Sequence, residues 1–202
     1  MMNDKIDVII IGAGIAGITT AYYLQKKFPE ITYRIIESRA DVGGTWDQMK
    51  FPGVRADNDM YTYGFSFNPW QGTIIGKGQE IKNYINNTAE KFNIKEHISF
   101  DTQVTSSSWK NNQWITKTNR KNFTSQYVIY CTGSRDRNKP HLPKFKDEEK
   151  YQGKIVHTQA WGDTDYKDKN VTIIGSGCTA ITMAPSIIKE AKTVTLVQRS
   201  PA

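Results

Sequence analysis

Cysteine is scarce here. Cys131 and Cys178 are the only two among 202 residues, they lie far apart, and no Cys-x-x-Cys occurs. A local redox dithiol is therefore excluded. A disulfide between the two is not expected in a reducing compartment, and both read as small buried side chains. Also lacking is any apolar run near the ~18–20 residues that cross a bilayer. The opening Met1-Met2-Asn3-Asp4-Lys5 leads straight into a strand-like run. No signal peptide is read there, and the cytoplasm is the expected location. Nor is there a clustered basic stripe. Lys plus Arg number 27 against 20 acids, a net charge of +7, but the lysines are spread along the chain. They read as a solvated surface, and no nucleic-acid partner is expected. No metal site is read. At 38% hydrophobic and 23% charged the composition is globular, and the length suits one domain plus part of another.

What is present begins with Ile6–Ile11, a short β-branched run of the kind a buried parallel strand requires. It feeds into Gly12-Ala13-Gly14-Ile15-Ala16-Gly17. A helical pattern follows through Ala21, Tyr22, Leu24 and Gln25 until Phe28-Pro29, and a second strand, Tyr33 to Ile36, ends at Glu37. In such a unit the first glycine permits the tight turn, Gly14 lets backbone approach a pyrophosphate, and Gly17 lets helix and strand pack closely. The helix N-terminus offers free N–H groups to phosphate. Glu37, 20 residues after Gly17, stands where a carboxylate accepts from adenosine ribose hydroxyls.

This unit serves either FAD or NAD(P). Two later features favour FAD: the doublet Gly43-Gly44, and the apolar strand Tyr127–Cys131 ending in Thr132-Gly133. Between them Thr102–Trp109, Gln113–Thr118 and Asn122–Tyr127 alternate loosely around Asn111-Asn112 and Asn119-Arg120, which predicts an antiparallel meander. Glu80, Ile81, Tyr84, Ile85, Thr88, Ala89 and Phe92 have helical spacing and read as packing surface.

A second unit repeats the pattern. Strand Asn170–Ile174 precedes Gly175-Ser176-Gly177-Cys178-Thr179-Ala180, the small-residue variant of the same turn. A helix runs on through Ile181, Met183 and Ile188, with Pro185 expected to kink it or tighten its early turns. Strand Thr193–Val197 then ends in Gln198-Arg199-Ser200. Where the first unit has Glu37, this one has Arg199. A guanidinium pairs with a 2′-phosphate that a carboxylate would repel, so NADP(H) is expected rather than NAD(H).

Two stretches narrow the chemistry: Gly43-Gly44-Thr45-Trp46 with Phe51-Pro52-Gly53 and Asp57, and Tyr151-x-Gly153 with His157 and Trp161. Together they resemble the two fingerprints of the Baeyer–Villiger monooxygenases. Trp161 favours this group over the related N- and S-oxidising flavin-containing monooxygenases. Asp59–Thr62, Asn68-Pro69-Trp70 and Val197–Pro201 are similar to the subgroup containing the ethionamide-activating monooxygenase. Tyr151 in place of Phe, Gly162 after Trp161 and Cys178 in place of Ala are departures.

The resemblance implies a two-dinucleotide-binding, Rossmann-like α/β flavoprotein: a parallel sheet with an inserted antiparallel β-meander, truncated relative to the family's longer chains. Residues 1–145 are then the N-terminal part of an FAD-binding domain and 146–202 the start of an NADP-binding domain. It implies that NADPH reduces FAD, and that a flavin C4a-peroxide oxygenates a ketone or a sulfide or thioamide with O₂. By resemblance Asp57 faces the flavin and orients an arginine, while His157 and Trp161 couple NADP binding to domain movement. Gly44, Thr45, Trp46, Thr132 and Gly133 join Gly12, Gly14, Gly17 and Glu37 around FAD, and Gly175, Gly177 and Arg199 hold NADP(H). A non-catalytic FAD-binding fragment and an NADPH-dependent reductase remain open as alternatives. A sheet cut short in this way is expected to expose apolar surface.

Overall fold

The computed structural model describes residues 4–133, 140 and 142–200. Residues 1–3 of the chain's opening and Pro201 of the last similarity lie outside them. Among the described residues no helix is long and apolar enough to cross a membrane. Contacts divide the chain into two compact units: Met1–Asp47, Gly64–Gln71 and Gln79–Ser134 form one, and Gln48–Tyr63, Gly72–Gly78 and Arg135–Ala202 the other. This grouping cuts across the linear division expected at 145/146.

The first unit grows from β1 (Asp4–Ile11), whose Ile6, Val8, Ile9, Ile10 and Ile11 are all buried, as a central parallel strand demands. Helix α1 (Ile15–Lys27) ends where the Phe28 amide donates to the Leu24 carbonyl and Pro29 follows. Then come β2 (Tyr33–Ile36), the short α2 (Thr45–Gln48) and, after α3 (Met60–Tyr63) of the second unit, α4 (Gly78–Lys91). In α4 Ile81, Ile85, Thr88 and Ala89 are buried, at the spacing that makes one apolar stripe.

Four strands complete the sheet: β3 (Ile98–Ser99), β4 (Val104–Lys110), β5 (Gln113–Thr118) and β6 (Phe123–Tyr130). Its order is β3-β2-β1-β6-β5-β4. β1 pairs in parallel with β2 and β6, and β4, β5 and β6 run antiparallel as a meander. Asn111 and Asn112 both take left-handed φ values, 52° and 56°, which a tight hairpin connection needs and asparagine tolerates. The expected third meander strand and the strand entering Thr132-Gly133 prove to be one strand. No turn former separates Asn122 from Tyr130, so Phe123–Ser125 pair with β5 on one edge and β1 on the other. The two-residue β3 was not anticipated, since it is too short to show periodicity.

The second unit is a βαβ element: β7 (Asn170–Ile174), α5 (Cys178–Ile187) and β8 (Thr193–Val197), with β7 and β8 parallel. Pro185 sits in the last turn of α5, so it marks the end of that helix and does not shape its start. Met49 and Phe51 join Ile173, Ala180, Met183 and Ile187 in one core, flanked by Val54, Trp161, Tyr166 and Val194. That packing is why residues 48–63 group with α5 across more than a hundred positions of sequence. Ile174, Leu196 and Val197, on the two strands of this sheet, are exposed.

Candidate functional site

The carboxyl ends of β2, β1 and β6 converge on the first glycine turn. The Gly12 amide donates to the Ile36 carbonyl at 2.9 Å and the Cys131 amide to the Ile11 carbonyl at 2.8 Å. Crevices outside such strand ends, where the chain leaves the central strand to either side, are where open α/β sheets bind ligands. Gly17 meets its expected role directly: a side chain there would collide with the Gly12 carbonyl oxygen. Gly14 caps α1 in extended conformation without a side-chain cap, and the first turn carries no acid. The positive end of the helix therefore meets no acid from its own first turn, an arrangement suited to an anion.

Glu37 is only 1% exposed. Its Oε2 accepts from the Ala13 amide at 2.7 Å, inside the glycine turn, and its Oε1 from the Arg39 amide at 3.0 Å. The carboxylate thus braces the turn from within. Gly43 and Gly44 close over the same turn: the Gly43 amide donates to the Ala13 carbonyl at 3.1 Å, and Gly14 faces the Gly44 backbone. Exposed Thr45 and half-buried Trp46 follow in α2. Thr132 and Gly133, both exposed, leave β6 beside Gly12. Contacts thus bring Gly12, Gly14, Glu37, Gly44 and Thr132 together at the strand ends of the first unit, with Gly17 packed on Gly12, Gly133 following Thr132, and Thr45 and Trp46 following Gly44 in α2. Cys131 is half-buried, and burial pushes its thiol up despite a contact with Thr20.

Sequence reading missed a charged cluster beneath this loop. Asp47 Oδ2 pairs with Arg39 Nε at 2.5 Å, its Oδ1 with Lys82 Nζ at 2.7 Å, and Lys82 also reaches Asp41 at 3.0 Å. Burial works to raise the Asp47 carboxyl, but the hydrogen bonds from Lys82 and Arg39 outweigh it and hold the group below the usual carboxylate range. Lys82 is raised in turn, chiefly by Asp47. Nothing in the spacing of 39, 47 and 82 signals the cluster, because three separate segments supply it.

In the second unit Gly175 turns the chain, its amide donating to the Val197 carbonyl at 2.8 Å, and Gly177 caps α5 with no side-chain bond. Cys178, read as buried, is exposed: as the first residue of α5 it faces outward, and Ala180 takes the buried position. Cys178 lines a concavity of about 450 Å³ with Arg55, Asp57, Ile75, Ile181 and Thr182. Asp57 is exposed there. Loop 51–57 reaches α5 because Gly53, at φ +77°, leaves no space for a side chain, which would lie 2.8 Å from the Thr182 carbonyl.

His157 lies elsewhere on this unit, outside the residues lining that concavity. It caps a short 3-10 turn, Thr158–Ala160, through Nδ1, which accepts from the Gln159 amide at 3.2 Å. Trp161 packs on the core beside Tyr166. Arg199 is exposed two residues past β8.

A protein-family model described as pyridine nucleotide-disulphide oxidoreductase matches residues 6–202. The FAD-containing monooxygenase EthA of Mycobacterium tuberculosis (strain ATCC 25618 / H37Rv) is 40% identical over 99% of this chain and 43% of its own. A probable FAD-binding monooxygenase, AlmA, of Acinetobacter sp is 39% identical over 99% of this chain and 42% of its own. Among solved structures, an oxidised steroid monooxygenase bound to NADP superposes with a TM-score of 0.84 and 29% identity, over 97% of this chain and 39% of that one. The chain thus spans about two fifths of the length of the relatives it matches.

Proposed function

Because the chain belongs to the pyridine nucleotide-disulphide oxidoreductase family and, within it, to the flavin-dependent monooxygenases, we propose that its first unit binds FAD and its second begins an NADP(H) site. The observation that carries this reading is the uncapped N-terminus of α1 roofed by Gly43-Gly44 at the strand ends. Gly12, Gly14 and Gly17 would admit the pyrophosphate. Glu37 would hold the ribose, as the carboxylate that follows the second strand of such a unit does. Gly44, Thr45, Trp46, Thr132 and Gly133 would border the flavin. Gly175, Gly177 and Arg199 would take the NADP(H) phosphates. The boundary near 145/146 is proposed as the division between the two cofactor domains.

FAD, when bound, supplies two-electron redox chemistry and oxygen activation. The protein's share is binding, orientation and the exclusion of water. The whole protein is proposed to insert one atom of O₂ into a ketone, sulfide or thioamide in the cytoplasm. Asp57 is proposed to orient an arginine at the flavin. His157 is proposed to couple NADP(H) binding to domain movement; its capping bond to Gln159 supports a positioning role.

Two measurements test this. The purified chain supplied with FAD should retain a flavin absorption spectrum through gel filtration, and Glu37→Ala should weaken FAD binding by about tenfold or more, ~1.4 kcal/mol. A folded chain that stays colourless would sink the flavin reading. In the second unit Arg199→Ser should erase a preference for NADPH over NADH of about tenfold, the worth of a charge-assisted pair to the 2′-phosphate. Equal affinity for both nucleotides in the unaltered chain would overturn the assignment of Arg199.

A further inference from the structure

We propose that Asp47 is a positioning residue for the flavin nucleotide: paired with Arg39 and Lys82, it holds the Gly43-Gly44 roof against the glycine turn and braces Glu37 at the same time. The inference rests on the flavin reading above. Three segments meet on this one carboxylate: the chain leaving β2 through Arg39, the doublet loop through Asp47 itself, and α4 through Lys82. Arg39 also donates from Nη2 to the Asp47 carbonyl at 3.2 Å, so the guanidinium grips both side chain and backbone of the loop. The Asp47 side chain is 10% exposed and that of Lys82 18%. The pair is shielded well beyond an ordinary surface ion pair, whose worth is small.

The cluster also touches what it positions. A side chain at Gly43 would lie 3.2 Å from the Asp47 Cβ and 3.4 Å from the Lys82 Cγ, so the doublet lies close against the stems of the two paired side chains. On its other side Gly43 bonds to Ala13. The Arg39 amide meanwhile donates to Glu37 Oε1. Glu37 and the glycine roof, two proposed contacts to the nucleotide from different stretches of sequence, are thus each one contact away from the Asp47–Arg39 pair. Removing the Asp47 carboxylate leaves Lys82 with Asp41 and Arg39 with the Asp47 backbone carbonyl, two cations side by side without the carboxylate that joined them. They would turn outward, and the roof would lose its floor.

FAD affinity, from flavin fluorescence, and the melting temperature of the ligand-free chain would be measured for Asp47→Ala, Asp47→Asn, Asp47→Glu and Lys82→Met. Asp47→Ala and Asp47→Asn should raise the FAD dissociation constant by about tenfold or more while the ligand-free melting temperature stays within about 4 °C. Asp47→Glu should recover most of the affinity, a rescue that a merely bulky filler would not produce. Lys82→Met, which removes one arm only, should give an intermediate loss, and it decides the matter if Asp47→Ala does not fold. Folded variants that bind FAD as the unaltered chain does would overturn the proposal and leave the flavin reading standing. An unaltered chain that binds no FAD would overturn both.

Discussion

Gly17→Val is expected to abolish measurable FAD binding and to lower the melting temperature of the chain by roughly 6–12 °C, the shift that about 3 kcal/mol produces in a chain of this size. The obstacle is backbone. A side chain at Gly17 points at the Gly12 carbonyl oxygen, and a carbonyl on a strand-to-helix turn cannot swing aside as a flexible side chain can. Either α1 moves off β1, or the turn opens. The first outcome uncovers the Ile9–Ile11 stretch of β1, now buried. The second breaks the bonds by which Gly12 is held to β2 and Ala13 to Glu37. Overpacking of this kind costs ~1–3 kcal/mol where neighbours can yield and more where they cannot. Thermal melts followed by far-UV circular dichroism, with FAD titration of the same samples, check it. A variant that melts with the unaltered chain and binds FAD normally would show that helix and strand do not need this close approach.

Phe51→Ala should destabilise the β7–α5–β8 element by about 3–5 kcal/mol, the usual cost of removing a buried phenyl group. Phe51 belongs by sequence to the loop after the glycine doublet, yet it is 6% exposed in the core with Met183 and Ile187 of α5. The sheet of that element has two strands, and Ile174, Leu196 and Val197 are already exposed. Hydrogen exchange should therefore show lost protection at the amides of Ile173, Met183 and Ile187. Unchanged protection there would mean that Phe51 contributes little and that the element stands on its own βαβ packing. The same experiment asks whether the aromatic-Pro-Gly stretch serves mainly to seat α5 within its own unit.

Much of this arrangement could be read from residue order. Both βαβ units follow from local chemistry: β-branched runs long enough for one strand, glycines at the turn, a 3.6-residue apolar rhythm in the helix, and an acid or a base after the second strand. The bounds of β2, β5, β7 and β8 come out as read, because a polar residue or a glycine ends the run in each. Where no such punctuation exists, at 122–130, the residue pattern reads as two strands and the chain folds as one. Cys178 was taken as buried because small residues usually are, yet the turn points it outward.

Local order along the chain thus specified which dinucleotide-binding elements form and what each turn can accept, since turn geometry and helix ends depend on neighbours within a few positions. Folding alone decided that Asp47, Arg39 and Lys82 share one charge cluster, that Glu37 braces Ala13, and that Phe51 and Gly53 seat against α5. Each of those contacts joins segments whose meeting depends on strand order and helix packing, and no short-range pattern encodes it.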